Sequence, residues 1–386
     1  MSDSRTPVIT SAVRTPIGRR AGALAKHEAS ELGGLAIQEA VLRSRLAPED
    51  ITDVIFGNTL SHQGNLARVA ALHAGLGNAV PGVTIDRQCG SGINTVGLAA
   101  QAVTASGGVF VAGGAESMSR EPFLLERAAR AFAPAPPRFL RRELATAAAG
   151  DPPMGITAEN IAKRYGISRE EQDAFAVESQ KRMAAAVARG AFDAELIPVP
   201  LADGSLCTRD EHPRADTTLE GLARLRPAFA TDGTVTAGNA SGINDGAAAT
   251  VVMSLAEARG RGLEPLARIT DWAVAGVDPN YMGLGPVPAT RRLLEQSGTA
   301  IDSFDLIELN EAFAVQALAC QRELGIDGER LNVLGGAIAH GHPIAATGTM
   351  LIAKLAAELR HRGLRRGLVT ACIGGGQGIA LSIECD

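Results

Sequence analysis

Two apolar patterns alternate along the first 116 residues of the chain. Short apolar runs at residues 8–13, 53–56 and 108–113 predict strands, whereas residues 30–46 and 65–76 have helical spacing. This alternation favours an α/β fold with a mostly parallel sheet covered by helices on both faces. The pattern returns near the C-terminus, with strands predicted at 246–255, 266–274, 304–310, 367–372 and 377–384 and helices at 288–297, 311–324 and 347–361.

The two ends of the chain resemble each other, which indicates an internal duplication. Gly90-Ser-Gly92 before a helix and Phe110-Val-Ala-Gly-Gly114 match Ala346-Thr-Gly348 and Thr370-Ala-Cys-Ile-Gly-Gly375. Residues 117–245 break the alternation, contain a loop at 134–137, and include predicted helices at 157–165 and 168–189, the second opening on a capping box. We therefore predict a first half at 1–116 plus 246–262, an insertion at 117–245, and a second half at 263–386.

The stretch from Val83 to Gly92 carries the first candidate for chemistry. The run from Val83 predicts a buried strand that ends at Cys89, and small residues and a helix follow. Cys89 then lies near a helix N-terminus, where backbone N–H groups would stabilise a thiolate. An unreactive buried cysteine fits this stretch equally well when it is taken alone.

Two turns in the second half favour the reactive cysteine over the unreactive one. One is Gly335-Gly-Ala-Ile-Ala-His340-Gly-His342-Pro343, and the other is Cys372-Ile-Gly-Gly-Gly376. If the halves are related by an approximate two-fold axis, these turns and Cys89 meet at the carboxyl ends of the strands, where open α/β sheets bind ligands. A thiol, an imidazole and a second thiol would then converge.

Composition excludes several classes of function. Of 386 residues, 46% are hydrophobic and 20% charged, and the net charge of −5 argues against a nucleic-acid or anionic-membrane binder. Five widely spaced cysteines suggest neither a disulfide framework nor a metal site. The chain shows no signal-peptide pattern and no apolar run long enough for a membrane span, so we expect a cytoplasmic protein.

Six motifs in order make the chain resemble the thiolases, which transfer acyl groups between CoA thioesters. They are Cys89-Gly-Ser-Gly92, Gly113-Gly-Ala-Glu-Ser-Met118, Gly238-Asn-Ala-Ser-Gly-Ile-Asn-Asp-Gly246, Asn310-Glu-Ala-Phe313, Gly341-His342-Pro343 and Cys372-Ile-Gly-Gly-Gly376. The resemblance covers nearly the full length. It implies duplicated α/β halves, each with a five-stranded mixed sheet covered by helices, and an inserted loop domain that binds CoA.

The resemblance also implies roles for individual residues. Cys89 would be the acylated nucleophile, His342 its base, and Cys372 the group that moves the α-proton. A water held by Asn310 would join His342 in one oxyanion hole, and the N–H groups of Cys89 and Gly374 would form a second. Residues carried over to the CoA and acyl sites are Ser241, Arg214, Phe229, Met154, Met282, Ala312 and Phe313.

Plainer interpretations fit several of these positions when the resemblance is ignored. Asn310 after a strand fits a helix cap, and Arg214 fits a solvated surface charge. Phe229, Met154 and Met282 fit ordinary packing.

Three positions depart from the thiolase pattern. His340 stands where an aliphatic residue is usual, Ala345 where glycine is usual, and Arg20 where an aromatic residue is expected. No histidine precedes Met154, as it commonly does in acetoacetyl-CoA-specific thiolases. This difference favours a degradative 3-ketoacyl-CoA thiolase.

Other functions stay open beside the degradative one. The main alternative is a condensing acetoacetyl-CoA thiolase, and a non-catalytic thiolase-like lipid carrier is a third. We expect no cofactor beyond the CoA thioester substrates, a homodimer or homotetramer, and a possible partner enzyme of β-oxidation.

Overall fold

One continuous β-sheet runs through both halves of the chain. The computed structural model describes residues 2–128, 130–132 and 136–386, so Pro134 and Ala135 of the predicted loop at 134–137 lie outside the described residues. The strands are β1 Pro7–Arg14, β2 Gly18–Arg19, β3 Asp53–Gly57, β4 Gly82–Ile85, β5 Phe110–Ser117, β6 Val199–Pro200, β7 Leu206–Cys207, β8 Asn244–Ser254, β9 Ala267–Gly276, β10 Leu306–Leu309, β11 Arg366–Ile373 and β12 Gln377–Glu384.

Helices cover this sheet and form most of the remaining structure. They are α1 Ala29–Arg43, α2 Leu66–His73, α3 Ser91–Ser106, α4 Met154–Tyr165, α5 Arg169–Ala188, α6 Leu219–Ala223, α7 Leu255–Gly260, α8 Pro286–Ser297, α9 Ala314–Leu324, α10 Ala337–His340 and α11 Ile344–Arg362. Among the described residues, no helix has both the length and the apolar character needed to cross a membrane.

The sheet has nearly the same strand order in each half. The first half runs β1-β8-β5-β3-β4, with β3 parallel to β4 and β5, and with β8 antiparallel to β1 and β5. The second half runs β9-β12-β11-β10, with β10 parallel to β11. Antiparallel pairing of β1 with β9 joins the halves. The mixed α/β architecture that the thiolase resemblance implied is therefore confirmed, whereas the mostly parallel sheet expected from the alternation is wrong, because most strand pairs of the main sheet are antiparallel.

The second half differs from the expectation of five strands. Its fifth strand is reduced to one bridge between Ile307 and Leu331. Asn332, in a left-handed conformation with φ 46°, turns the chain away. Its side-chain amide accepts from Leu309 N at 2.8 Å and donates to Leu309 O at 2.9 Å, so a side chain takes the place of the next backbone pair.

The predicted buried strand before Cys89 is also different. It is β4, the outermost strand of the first half, and its residues are half-buried or exposed. Val83 is 41% exposed because one edge of an outermost strand has no neighbouring strand to cover it. The apolar run that suggested burial therefore marks a sheet edge.

Three layers of helices pack against the sheet, one of them between the two halves. Apolar residues of α3 and α11 pack between strands of both halves, including Ile93, Val96, Leu351 and Leu355. Helices α1 and α2 cover the other face of the first half, and α8 and α9 cover that of the second. Cys89 and His342 thus lie just before the first turns of the two central helices, α3 from the first half and α11 from the second.

Helices α3 and α11 touch at two glycines. A Cβ atom on Gly92 would lie 2.7 Å from Thr349 N, and one on Gly348 would lie 2.4 Å from Ile93 N. Thr349 Oγ1 also donates to Gly92 O at 3.1 Å. Gly348 is inside α11, which begins at Ile344, and does not precede the helix as the repeat suggested.

The chain leaves the sheet between β5 and β8. This excursion contains α4, α5, α6 and the small β6-β7 sheet. The capping box predicted at the start of α5 is present, with Ser168 accepting from Glu171 N and the Glu171 carboxylate accepting from Ser168 N. The domain boundaries themselves stay a prediction.

The contact between the two glycines generates a stability prediction. Gly348→Ala should lower the free energy of unfolding by about 1–3 kcal/mol, because the added methyl group forces the helices apart. That loss outweighs the gain of roughly 1 kcal/mol that alanine brings to a helix interior. Urea denaturation measures the difference.

Gly64→Ala is the matched control, since a Cβ at Gly64 would meet nothing within 4 Å. Equal urea midpoints for the two variants would contradict the close helix contact.

Candidate active site

Cys89 lies in a tight turn between β4 and α3. The turn is a short 3₁₀ helix, Gln88–Gly90, and Gln88 adopts a left-handed φ of 46°. Asp86 holds Gln88 by accepting from its backbone N–H at 2.9 Å. A Cβ on Gly90 would lie 2.5 Å from Ile373 Cδ1, so glycine lets the turn press against β11 of the second half.

Burial dominates the electrostatics of Cys89. It raises the pKa of this thiol to about 11, and the Glu116 and Asp86 carboxylates add to the rise, although N–H groups of Gly374 and Cys89 itself lower the pKa. The predicted thiolate at a helix N-terminus is therefore not the resting state. The two N–H groups that lower this pKa are the pair that the thiolase resemblance implied for an oxyanion hole.

His342 is held between Thr347 and Asn310. Its Nδ1 lies 2.6 Å from Thr347 Oγ1, and its Nε2 lies 3.4 Å from Asn310 Nδ2. With the amide nitrogen as donor, Nε2 accepts, and Nδ1 carries the proton that it gives to Thr347. Burial lowers the pKa of His342 to about 4, so the imidazole is neutral at pH 7 and Nε2 carries no proton and can take one up.

Asn310 and Cys372 stand at the ends of the parallel strands β10 and β11. Asn310 N donates to Thr370 O at 3.0 Å. Asn310 is fully buried, and its Oδ1 has no hydrogen-bond partner among the described residues. Burial, followed by the neighbouring Cys89, raises the pKa of the Cys372 thiol well above its usual range. Asn310 therefore joins His342 to the strand ends, and Cys372 lies there beside Cys89.

Most of the predicted substrate residues lie beside Cys372. Met154, Met282, Ala312 and Phe313 belong to one hydrophobic cluster with Cys372. The Phe229 ring packs edge-on against Phe313 at 6.1 Å between centroids. These side chains form an apolar wall beside the second thiol.

Ser241 lies next to this apolar wall, whereas Arg214 lies outside it. Ser241 N donates to Ala312 O at 3.0 Å, which fixes Ser241 next to the wall. Arg214 is exposed, and its backbone N–H donates to Gln180 Oε1 at 2.8 Å. Its guanidinium has no ion-pair partner among the residues that the structure describes, and it is not part of the cluster.

Comparison with known proteins decides the family. The family model "Thiolase, N-terminal domain" matches residues 7–256, and "Thiolase, C-terminal domain" matches residues 263–385. The chain belongs to the thiolase family. It is therefore an acyltransferase.

Individual thiolases are similar along the whole chain. An acetyl-CoA acetyltransferase of Escherichia coli K12 is 48% identical, covering 98% of each chain. A β-ketoadipyl-CoA thiolase of Pseudomonas aeruginosa is 46% identical, covering 99% of each. The crystal structure of human mitochondrial 3-ketoacyl-CoA thiolase in complex with CoA superposes with a TM-score of 0.94 at 40% identity, covering 100% of this chain and 99% of that one.

Four residues of this thiolase contribute to the site without having been predicted. Thr347 binds His342 Nδ1, and a hydroxyl one turn into the helix after the histidine was the available signal. Asn244 Oδ1 accepts from His342 N at 2.9 Å and lies in a motif already recognised. Leu144 lies over the glycine turn, 3.0 Å from a Cβ on Gly374, and nothing in its sequence context marks it.

The fourth is Glu116, which links the halves. Its carboxylate accepts from Asn58 Nδ2 and Leu60 N at 2.9 Å, and from Ala345 N at 3.3 Å. Burial raises the pKa of Glu116 to about 8. Only the Gly-Gly-Ala-Glu motif could have indicated it.

The three departures from the thiolase pattern have different structural weight. Ala345 is tolerated because Gly57 and Gly114 face it without side chains. Arg20 is exposed, and its backbone N–H donates to Ile243 O at 3.0 Å. His340 is buried, two residues before His342.

The pKa values predict how alkylation of Cys89 depends on pH. The rate of modification by iodoacetamide should rise about tenfold per pH unit from pH 6 to 9 without a plateau, because only the thiolate reacts and the thiol pKa lies near 11. Rapid-quench labelling with mass mapping measures it.

Cys89 should also be labelled before the other four cysteines, which are buried. A plateau below pH 7, or first labelling of Cys207 or Cys385, would contradict the burial-dominated thiol.

Proposed function

We propose that this thiolase transfers acyl groups between CoA thioesters through Cys89, and that its reaction is that of an acetyl-CoA C-acetyltransferase. The observation that carries the reaction class is the convergence of Cys89, His342, Asn310 and Cys372 at the strand ends. The names of the relatives support the acetyl-transferring subtype. Leu144 also supports this subtype, because a side chain packed closely over Gly374 favours a short acyl group.

The first half-reaction uses the first thiol and the imidazole. His342 Nε2 takes the Cys89 proton while the sulfur attacks the thioester carbonyl. The N–H groups of Cys89 and Gly374 stabilise the oxyanion of the tetrahedral intermediate. CoA leaves with the proton from His342, and an acetyl group remains on Cys89.

The second half-reaction uses the other thiol. The Cys372 thiol gives its proton to His342 Nε2, and the resulting thiolate removes an α-proton from a second acetyl-CoA. The protonated His342 Nε2 and a water held by Asn310 Oδ1 donate to the enolate oxygen. The enolate carbon attacks the acetyl carbon on Cys89, and Cys89 leaves as a thiolate that takes the proton from His342 Nε2, so both thiols end protonated. These steps need side chains and CoA thioesters alone, with no further cofactor.

Degradative cleavage of a 3-ketoacyl-CoA is the second candidate. Pro153 precedes Met154, where acetoacetyl-CoA-specific thiolases commonly have histidine. A protonated Cys372 also suits cleavage, in which it gives a proton to the departing acetyl-CoA carbanion. A partner enzyme of β-oxidation belongs to this candidate alone.

Assembly and compartment complete the proposal. The exposed edge of β4 offers unpaired backbone groups to a second copy, which supports the proposed homodimer or a homotetramer built from it. All five cysteines are free thiols, which supports a reducing compartment such as the cytoplasm.

A substrate profile tests the subtype. We expect thiolysis of acetoacetyl-CoA to have a kcat/KM at least about tenfold above that of six-carbon and longer 3-ketoacyl-CoAs, since Leu144 over Gly374 limits the length of the acyl chain. The absorbance of the magnesium enolate of each substrate gives the rate. A preference for long chains or for 3-oxoadipyl-CoA would favour the degradative candidate, and no turnover of any thioester would favour the lipid carrier.

Substitution of each thiol separates their roles. Cys89→Ser should abolish acylation, because the variant has no thiol to form the thioester. Cys372→Ser should still be acetylated by acetyl-CoA but lose thiolysis by roughly 10²–10⁴-fold, the effect of a positioned acid–base group. Intact-protein mass and thiolysis rates measure both. Loss of acetylation in a folded Cys372→Ser variant would show that the assigned roles are wrong.

A further inference from the structure

The peptide bond between Gly341 and His342 is held at both ends by buried side chains. On one side, the Gly341 carbonyl oxygen lies 2.8 Å from His340 Nδ1. On the other, the His342 N–H donates to Asn244 Oδ1 at 2.9 Å. The backbone at His342 is therefore held in place independently of the contacts that the His342 side chain makes.

The bond from His340 fixes the tautomer of that imidazole. A carbonyl oxygen only accepts, so Nδ1 of His340 must carry a proton and donate it. The side chain is buried, and the charges of Lys354 and Arg14 oppose protonation of its second nitrogen. His212 is a further neighbour, and Glu195 lines the same small cavity. The Nδ1–H donor is present in either charge state, so this bond does not depend on pH.

Asn244 supports the same peptide from the opposite side. It is fully buried, and its Nδ2 donates to Gly18 O at 2.9 Å, which fixes the orientation of the amide. A Cβ on Gly341 would lie 2.6 Å from Asn244 Oδ1, and Gly341 has a φ of 99°. Glycine is thus required for the peptide to lie against the amide.

We propose that His340 and Asn244 are positioning residues that aim His342 Nε2 at the Cys89 thiol by clamping the Gly341–His342 peptide. This inference rests on the proposed role of His342 as the base. It assigns a function to the histidine that departs from the usual thiolase pattern. At that position an aliphatic side chain offers no donor to the Gly341 carbonyl.

Loss of the clamp should affect the rate of catalysis more than binding. An error of about 1 Å in the placement of a catalytic group costs roughly 10²-fold in rate. Since His340 lies behind the turn and away from the apolar wall, KM for the CoA thioester should stay unchanged. The rate of Cys89 acetylation should fall in parallel with kcat, because both need the base.

Two isosteric amides test the donor position. In His340→Asn the amide nitrogen takes the place of Nδ1, whereas in His340→Gln it takes the place of Nε2. We expect His340→Asn to keep kcat within about threefold of wild type, and His340→Gln and His340→Leu to lose at least roughly tenfold. In the double variant His340→Leu with Asn244→Leu, the fold loss in kcat should be smaller than the product of the two single losses, because both side chains hold the same peptide bond.

His73→Gln is the control, because His73 is an exposed histidine at the end of α2. Circular dichroism and urea midpoints establish that each variant is folded. Equal kcat for folded His340→Asn and His340→Gln would overturn the proposal, and so would a rise in KM with unchanged kcat.

A measurement without turnover separates this inference from the proposed function. Nitrogen-15 spectra of labelled histidines should show His340 protonated at Nδ1 at pH 7. A proton on Nε2 alone would overturn the clamp even in an active enzyme. An inactive wild-type protein with the Nδ1 tautomer would instead refute the proposed function and leave the clamp supported.

Discussion

The contact between α3 and α11 at Gly92 and Gly348 is the constraint on which the site depends. Each helix begins just after a catalytic candidate, Cys89 for α3 and His342 for α11. Because neither glycine has a side chain, the helices approach until backbone atoms touch, and their first turns come together. Residues from two ends of the chain thereby meet in one site.

The site stays electrically neutral until a substrate arrives. Burial raises the pKa of both thiols and lowers that of His342, so protons stay on sulfur and off nitrogen. The neighbouring Glu116 and Asp86 side chains add to the rise in the pKa of Cys89. A neutral pair avoids the cost of burying charge, so in the proposed mechanism the proton leaves Cys89 only as the sulfur attacks the thioester. Such a thiol also resists chance alkylation and oxidation better than a resting thiolate.

The sequence predicted features that depend on residue type and strand order. Parallel strand ends brought Asn310 and Cys372 together, and glycine turns marked Cys89 and His342. It missed features that depend on three-dimensional packing. The pKa of Cys89 follows from burial by the other half, and Thr347 and Glu116 matter through contacts that no local pattern reveals. The exposure of β4 was missed because an apolar run does not distinguish an edge from a core.

The side chain of Asn332 has a consequence for how copies of the protein meet. By pairing with Leu309, it closes the outer edge of β10, while β4 at the opposite end of the sheet stays open. A molecule with two open edges could add neighbours indefinitely and grow into a fibre. With one edge closed, a second molecule that joins through β4 uses its own β4, and growth stops at a pair. Closure of the β10 edge by Asn332 and the two residues before it thus disfavours open-ended growth through the sheet.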